Sequence, residues 1–139
     1  MKQVLFDTDV IIDVLSQRQP FFLASSQALS MIKKNGDISG YLAAHTVTNL
    51  FYILRRQLGK DTTLKSLKLL LQNLHITTLD EQIIKAALQS SMSDFEDAVT
   101  SEAAHAANID VIVTRNVRDY TDSSVQALAP TEFLAQFSV

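Results

Sequence analysis

The sequence predicts an α/β fold, a three-layer α/β/α sandwich around a central, mostly parallel sheet of about five strands. Short apolar runs typical of buried strands alternate with longer segments whose apolar residues follow helical spacing. Strands separated by helices favour parallel pairing, with helices on both faces of the sheet. With 139 residues, 47% of them hydrophobic, the chain is expected to form a single domain over residues 1–139.

Each element follows from a local pattern. Strands are predicted at 3–6, 38–42, 76–79 and 111–113, with an edge strand at 125–128, because these runs are short, apolar and bounded by polar residues. Helices are predicted at 22–34, 44–58, 62–74, 81–91, 93–107 and 130–137, from apolar spacing and from end signals such as Asn35-Gly36, Gly59 and Pro130. Ser93 and Glu96 have the spacing of a capping box, which makes Glu96 a capping residue. The segment 114–120 shows no core-like pattern.

The composition excludes several classes of protein. The chain has no cysteine, which excludes a disulfide framework, a thiol nucleophile and a zinc-thiolate site. No signal-peptide pattern is found at the N-terminus, and no apolar run approaches the roughly 20 residues that span a bilayer. We therefore expect a cytoplasmic protein that does not contact membranes. The net charge of −3 argues against a general binder of polyanions, although it does not exclude one.

Acidic residues stand where a site is expected. Asp7-Thr8-Asp9 follows the first strand directly, and Asn116 and Asp119 follow the strand at 111–113. Ligands of parallel α/β sheets bind outside the carboxyl ends of the strands, where these two loops could meet. Asp94 and Asp97 lie three residues apart in the first turn of a predicted helix, where capping is the alternative explanation.

These acids suggest a metal site. Several carboxylates brought together repel one another unless a divalent cation neutralises them, and oxygen ligands select Mg²⁺ or Mn²⁺. The chemistry expected of such a site is activation of water for attack at phosphorus, which points to a phosphodiester substrate. Thr8 and Thr114 could orient carboxylates or a phosphate, and Arg115 and Arg118 could contact phosphates, although ordinary structural or surface roles remain open for all four. The three histidines lie beside apolar segments without metal-ligand spacing, which favours structural or surface roles.

The motifs together resemble a PIN domain. They are the apolar strand ending in Asp7-Thr8, the helix with Thr48-Asn49-Leu50, the helix start Asp94-Phe95-Glu96-Asp97-Ala98, and Val113-Thr114-Arg115-Asn116 followed by Asp119-Tyr120. The resemblance covers almost the whole chain, and it is greatest to bacterial VapC-like toxins and stand-alone PIN proteins. It implies a Mg²⁺- or Mn²⁺-dependent ribonuclease with an RNA substrate, pairing into homodimers, and an antitoxin partner if the chain is a toxin.

The resemblance also assigns roles to residues. Asp7 matches the first metal-binding acid and Asp97 the third, with Asp94 as an accessory acid and Asn116 or Asp119 at the fourth position. The departure is at Asn49, where toxins of this family usually have a glutamate. An amide can coordinate through its oxygen but supplies no charge and no base, so Asp9 and Asp13 could compensate.

Two other functions compete with this hypothesis. Asp7-Thr8-Asp9 also resembles the start of haloacid dehalogenase-type phosphatases, but those enzymes need a late lysine and no lysine follows Lys85. The same absence weighs against a receiver domain. A PIN scaffold disabled by Asn49 could instead bind RNA or a protein without cutting, and cleavage assays with and without metal would separate this alternative from a nuclease.

Overall fold

The computed structural model describes residues 2–34 and 36–137, and these form five strands and seven α-helices. The strands are β1 (Lys2–Phe6), β2 (Ile38–Leu42), β3 (Leu74–Ile76), β4 (Val111–Val113) and β5 (Gln126–Leu128). The helices are α1 (Thr8–Leu15), α2 (Phe22–Lys34), α3 (Ala44–Leu58), α4 (Lys60–Leu70), α5 (Glu81–Leu88), α6 (Phe95–Ala106) and α7 (Pro130–Phe137). A 3₁₀ helix covers Val117–Tyr120.

The sheet is parallel throughout, with the strand order β3-β2-β1-β4-β5. Strand β1 is central, between β2 and β4, and β5 is an edge strand. The predicted fold class, with five parallel strands between helices, is confirmed. This order places the chain directly after β1 beside the chain directly after β4, since Phe6 pairs with Val113.

Alternate residues of β1 enter separate cores on the two faces of the sheet. Val4 and Phe6 belong to the larger core, which α1, α2, α3, α4 and α7 cover. Leu5 faces the opposite core and packs with Ile112 and with Ala104 of α6. Because side chains alternate along a strand, the continuous apolar run of β1 reflects burial on both faces.

Several predicted elements differ from the structure. Helix α1 was not predicted, and its run of β-branched residues, Val10-Ile11-Ile12, has a low intrinsic helix propensity. The predicted helix 62–74 is wrong at its end, since α4 stops at Leu70 and Leu74 pairs with Gly40 as the first residue of β3. The segment 114–120, predicted to lack core residues, contains Tyr120, which is only 3% exposed.

Two predictions from the sequence can be compared with the structure only over the described residues. Helix α2 ends where the turn signal Asn35-Gly36 was predicted, but Asn35 itself lies outside the described residues. Over residues 2–34 and 36–137, none of the helices has the length and apolar character needed to cross a membrane.

Candidate active site

Asp7 lies where β1 passes directly into α1. It is the N-cap of that helix, and its Oδ1 accepts a hydrogen bond from the backbone N–H of Thr8 at 2.8 Å. Its own backbone N–H continues the sheet by donating to the carbonyl of Val113 at 2.9 Å. A short polar side chain is favoured at such a strand-to-helix junction because the first helical N–H groups have no partner within the helix. The junction therefore fixes the Asp7 carboxylate at the carboxyl end of the central strand.

Two hydroxyl groups hold the other oxygen of Asp7. Thr114, the residue after β4, donates to Oδ2 at 3.0 Å, and the buried Tyr120 donates to the same atom at 3.0 Å. Asp7 is only 8% exposed. Hydroxyl donors lower the cost of burying a carboxylate without cancelling its charge. Both oxygens of Asp7 are thus held by hydrogen bonds.

Asp97 approaches Asp7 from the opposite side, in the first turn of α6. The hydroxyl of Tyr120 lies 3.3 Å from Oδ1 of Asp97 and joins the two carboxylates. The helix is capped by Asp94, whose Oδ1 accepts from the N–H of Asp97 at 3.0 Å. The capping box expected from Ser93 and Glu96 is therefore wrong, because Asp94 takes the capping position. The hydrogen bond between Asp94 and Asp97 fixes the first turn of α6 directly at Asp97.

Burial and neighbouring negative charges perturb two of these acids. Burial, reinforced by the charges of Asp7, Asp94 and Asp119, raises the pKa of Asp97 from 3.8 to about 7. Burial and the charge of Asp7 likewise raise the pKa of Asp9 from 3.8 to about 6. Burial beside two carboxylates raises the pKa of Tyr120 far above its ordinary value, so its hydroxyl remains a hydrogen-bond donor. The site accumulates more negative charge than its own cations neutralise.

Asp9 connects α1 to the loop after β4. Its Oδ2 accepts from the backbone N–H of Arg115 and from the side-chain amide of Asn116, both at 3.1 Å. Its Oδ1 is buried and has no hydrogen-bond partner. Asp9 therefore holds the loop with one oxygen, while the other is left for a ligand to satisfy.

Arg115 is turned away from this space toward Asp13. Its Nε donates to Oδ2 of Asp13 at 2.7 Å, and Ser25 donates to the same oxygen at 3.0 Å. The guanidinium also lies 3.8 Å from the centre of the Phe21 ring. Asp13 is completely buried. This ion pair anchors the loop whose backbone holds Asp9.

Helices α3 and α6 meet at the far wall of the site. His45 and Thr100 are joined by a 3.1 Å hydrogen bond between Nε2 and Oγ1, and Asn49 donates from Nδ2 to Oε2 of Glu96 at 3.4 Å. Burial lowers the pKa of His45, although the negative charges of Glu96 and Asp7 oppose this effect. His45 therefore lines the site. Of the two roles that the sequence left open for the histidines, structural or surface, the surface role does not fit His45.

These groups enclose a crevice of about 210 Å³, hereafter the acidic crevice. It is lined by Asp7, Thr8, Asp9, Ile12, Arg18, His45, Glu96, Asp97, Thr100 and Asn116. Of the residues predicted from the sequence, Asp7, Thr8, Asp9, Asp97 and Asn116 line the crevice, and Thr114 supports it from behind through Asp7.

Other predicted site residues lie around the acidic crevice. Asp94 and Asp119 are exposed and outside its lining, although the charges of both act on Asp97. Arg118 is exposed in the 3₁₀ helix, and Arg115 is engaged with Asp13. Asn49 lies behind Glu96. Their predicted roles in catalysis, metal binding and substrate binding stay predictions.

Besides the apolar Ile12, four polar residues of the crevice were not predicted from the sequence as site residues: Arg18, His45, Glu96 and Thr100. Arg18 lies between α1 and α2, with its Nε 4.0 Å from Oδ1 of the buried Asp13. His45 and Thr100 reach the site only through the packing of α3 on α6, which no local pattern reveals. Glu96 did carry a signal, since it belongs to the same acidic helix start as Asp97.

The described side chains are not already arranged as a metal-binding site. In the part of the chain that the structure describes, no group of three His, Asp or Glu side chains is already spaced to hold a metal ion. The three buried or half-buried acids of the crevice are instead held apart by the hydroxyl and amide groups described above. The site is an acidic crevice at the carboxyl ends of β1 and β4.

Comparison with known structures gives the same fold at low sequence identity. The VapBC-1 structure from nontypeable Haemophilus influenzae has a TM-score of 0.69 and 15% identity, covering 93% of this chain and 98% of that chain. VapBC2 from Rickettsia felis, bound to a DNA fragment from its promoter, has a TM-score of 0.72 and 13% identity, covering 91% of this chain and 98% of that one. Mycobacterium tuberculosis VapC20, described as a sarcin-ricin loop cleaving toxin, has a TM-score of 0.64 and 11% identity, covering 98% and 96%.

Comparison with curated sequences finds no match, whereas comparison with family models finds one. No curated protein sequence matches the chain closely enough to count as a relative. A family model described as PIN domain, however, matches residues 3–118, which include β1, the α3 wall, the start of α6 and the loop after β4. On this match, the chain belongs to the PIN domain family.

Proposed function

We propose that this protein is a divalent-metal-dependent ribonuclease that hydrolyses RNA phosphodiesters internally. The observation that carries the proposal is the convergence of Asp7, Asp9 and Asp97 on one crevice, where burial and the charge of Asp7 raise the pKa of both Asp9 and Asp97. Strongly perturbed acids in a cleft are characteristic of functional sites. The repulsion among them supplies the driving force for binding a cation.

The donor set fits Mg²⁺ or Mn²⁺. The side chains that converge are carboxylates, which hard divalent cations prefer, and Oδ1 of Asp9 is buried without a hydrogen-bond partner. We propose that Asp7 and Asp97 hold the metal, with Asn116 and Asp9 beside them and Asp94 and Asp119 adding negative charge from outside. When such a cation is bound, the chemistry supplied is activation of water and neutralisation of charge developing at phosphorus.

The protein's own residues orient these acids and the substrate. Thr114 and Tyr120 fix one oxygen of Asp7, and the Thr8 hydroxyl lies 3.0 Å from that of Thr46, which ties α1 to α3. Arg18, which lines the crevice with a half-exposed side chain, is placed to bind a substrate phosphate. Arg118, exposed beside the crevice, could contact a neighbouring phosphate of the same strand.

The solved relatives support the proposed substrate class and an antitoxin partner. One solved PIN structure with this fold is described as a toxin that cleaves the sarcin-ricin loop, and others are toxin-antitoxin complexes. We infer RNA as the substrate, a homodimer as the working form, and a cognate antitoxin as a regulatory partner of this chain.

Cleavage of RNA with and without metal tests the proposal. A panel of structured and single-stranded RNAs is incubated with the purified protein in Mn²⁺, in Mg²⁺ and in EDTA. We expect cleavage only with metal, with a preference for Mn²⁺, and a loss on the order of 100-fold or more in Asp7→Asn. Asp61→Asn, an exposed acid on α4 outside the crevice, is the matched control and is expected to keep full activity.

The opposite result would favour the alternative function. RNA binding that is unchanged by metal and by Asp7→Asn, with no cleavage products under any condition, would contradict the nuclease and support an RNA-binding module. Equal cleavage by the Asp7→Asn variant would place the activity outside this crevice or in a contaminant.

A further inference from the structure

Helices α3 and α6 contact each other through two pairs of polar residues at the wall of the crevice. His45 contacts Thr100, and Asn49 contacts Glu96. Within each helix the two partners lie four residues apart, and residues at this spacing share one face. The two contacts therefore fix how the face of α3 lies against the first turn of α6.

Glu96 is an exposed residue in the first turn of α6, and its side chain contacts α3 through Asn49. Its carbonyl accepts from the hydroxyl of Thr100 at 3.1 Å, and Thr100 is only 2% exposed. The carboxylate lines the crevice with Asp7, Asp9 and Asp97, and it acts on the pKa of His45 across the wall. Glu96 thus adds a fourth carboxylate to the crevice, next to Asp97 in the chain.

Asn49 has the chemistry needed to hold that carboxylate. Its Nδ2 donates to Oε2 of Glu96, so the amide presents a donor to an acceptor, although the distance of 3.4 Å makes this a long hydrogen bond. A glutamate at position 49 would instead bring two like charges together at this separation, which is destabilising. The residue at 49 and the acid at 96 are therefore complementary.

We propose that Glu96 is a carboxylate of the metal site, taking the place of the acid that position 49 lacks, with Asn49 as its positioning residue. The inference rests on the proposed metal-dependent function. The negative charge expected on α3 is supplied from α6, across the same contact between the two helices. Asn49 is then a component of the site and not a defect in it.

Metal binding to an exchanged pair tests this proposal. Binding of Mn²⁺ alone is measured by titration calorimetry on the full-length protein for the wild type, Glu96→Gln, Asn49→Glu and the double variant Asn49→Glu/Glu96→Gln. Glu102→Gln, on the same helix but outside the crevice, is the matched control. Thermal melting in EDTA verifies that each variant folds.

We expect Glu96→Gln to weaken Mn²⁺ binding by about tenfold or more. The double variant is expected to recover most of this loss, because the acid and the amide have exchanged positions. Asn49→Glu alone is expected to melt at a lower temperature in EDTA than the double variant, since it opposes two carboxylates. Glu102→Gln should bind as the wild type does.

Three other outcomes would each contradict a specific part of the proposal. If the wild type binds Mn²⁺ and Glu96→Gln binds it equally well, Glu96 has no role at the metal and the proposed nuclease is unaffected. If Glu96→Gln binds Mn²⁺ weakly and the double variant does not recover Mn²⁺ binding, Glu96 contributes to the metal site. The proposal that an acid at position 49 can replace Glu96 is then wrong. If the wild type binds neither Mn²⁺ nor Mg²⁺, both proposals fail.

Discussion

Asp13 and the acids of the crevice lie at the same end of the sheet but have different hydrogen-bond partners. Asp13 is completely buried and receives a guanidinium hydrogen bond at 2.7 Å together with a serine hydroxyl. Asp7 receives only a backbone N–H and two hydroxyls. Asp9 receives one backbone and one side-chain amide.

The difference separates an acid with a structural ion pair from the acids of the proposed site. A buried charge that is paired internally stabilises a particular arrangement of the chain, and here it anchors the loop that holds Asp9. Acids that receive only neutral donors keep their mutual repulsion, and burial together with the charge of Asp7 raises the pKa of Asp97 and Asp9. The chain supplies the counter-charge of Asp13 itself, whereas in the function proposed above a cation from solution supplies it for the acids of the crevice.

The largest expected effect on stability comes from breaking the Asp13 ion pair. Asp13→Asn leaves the half-buried Arg115 guanidinium without its counter-charge, and removing one partner of a buried pair costs about 3–5 kcal/mol. Because the Arg115 side chain is 22% exposed, we expect a loss near the lower limit, about 3 kcal/mol. Urea unfolding in EDTA measures this loss.

The control for this experiment is Asp61→Asn, which removes an exposed acid from α4 and is expected to change stability by less than about 0.5 kcal/mol. A loss below about 1 kcal/mol in Asp13→Asn would show that the ion pair is not the structural anchor that the geometry indicates.

A smaller effect is expected from pH in the metal-free protein. The charged groups facing Asp97 are Asp7, Asp94 and Asp119, and burial with these charges raises its pKa from 3.8 to about 7. The folded state therefore holds the proton more tightly than the unfolded state. This contribution is complete below about pH 4 and is lost as the pH rises toward about 7, so stability should fall over that range.

Comparing the wild type with Asp97→Asn isolates this contribution. We expect the difference in unfolding free energy between the two proteins to change steadily from about pH 4 to about pH 7 and to level off above it. A difference that does not change with pH would mean that Asp97 is not perturbed by its acidic neighbours.

Much of this arrangement could be predicted from the sequence, because it depends on local patterns. The parallel sheet and most helices follow from apolar spacing, and α2, α3 and α7 have the predicted bounds. Asp7 could be placed because it directly follows a buried strand, and strand order then brings it beside Thr114. The convergence of Asp7 and Asp97 required only the expected fold and the acidic helix start.

The remaining parts depend on details that local patterns do not contain. Capping by Asp94 sets the start of α6, whereas burial of Ala98, Val99 and Ala103 sets the rotation of the helix that brings Glu96 to the crevice. Arg115 was assigned to the substrate because it follows a site strand, but its pairing with Asp13 depends on a contact across 102 positions of sequence. Such contacts are set by tertiary packing.

The unfolding free energy with and without Mn²⁺, in the wild type and in Asp7→Asn, tests the central claim most directly. We expect Mn²⁺ at ten times its dissociation constant to stabilise the wild type by about 1.4 kcal/mol, and the same concentration to leave Asp7→Asn almost unchanged. In EDTA, Asp7→Asn should lie within about 1 kcal/mol of the wild type, because losing a repelled charge offsets the weakened hydrogen bonds. The account would be contradicted if Mn²⁺ stabilised neither protein while Asp7→Asn lost as much stability as Asp13→Asn.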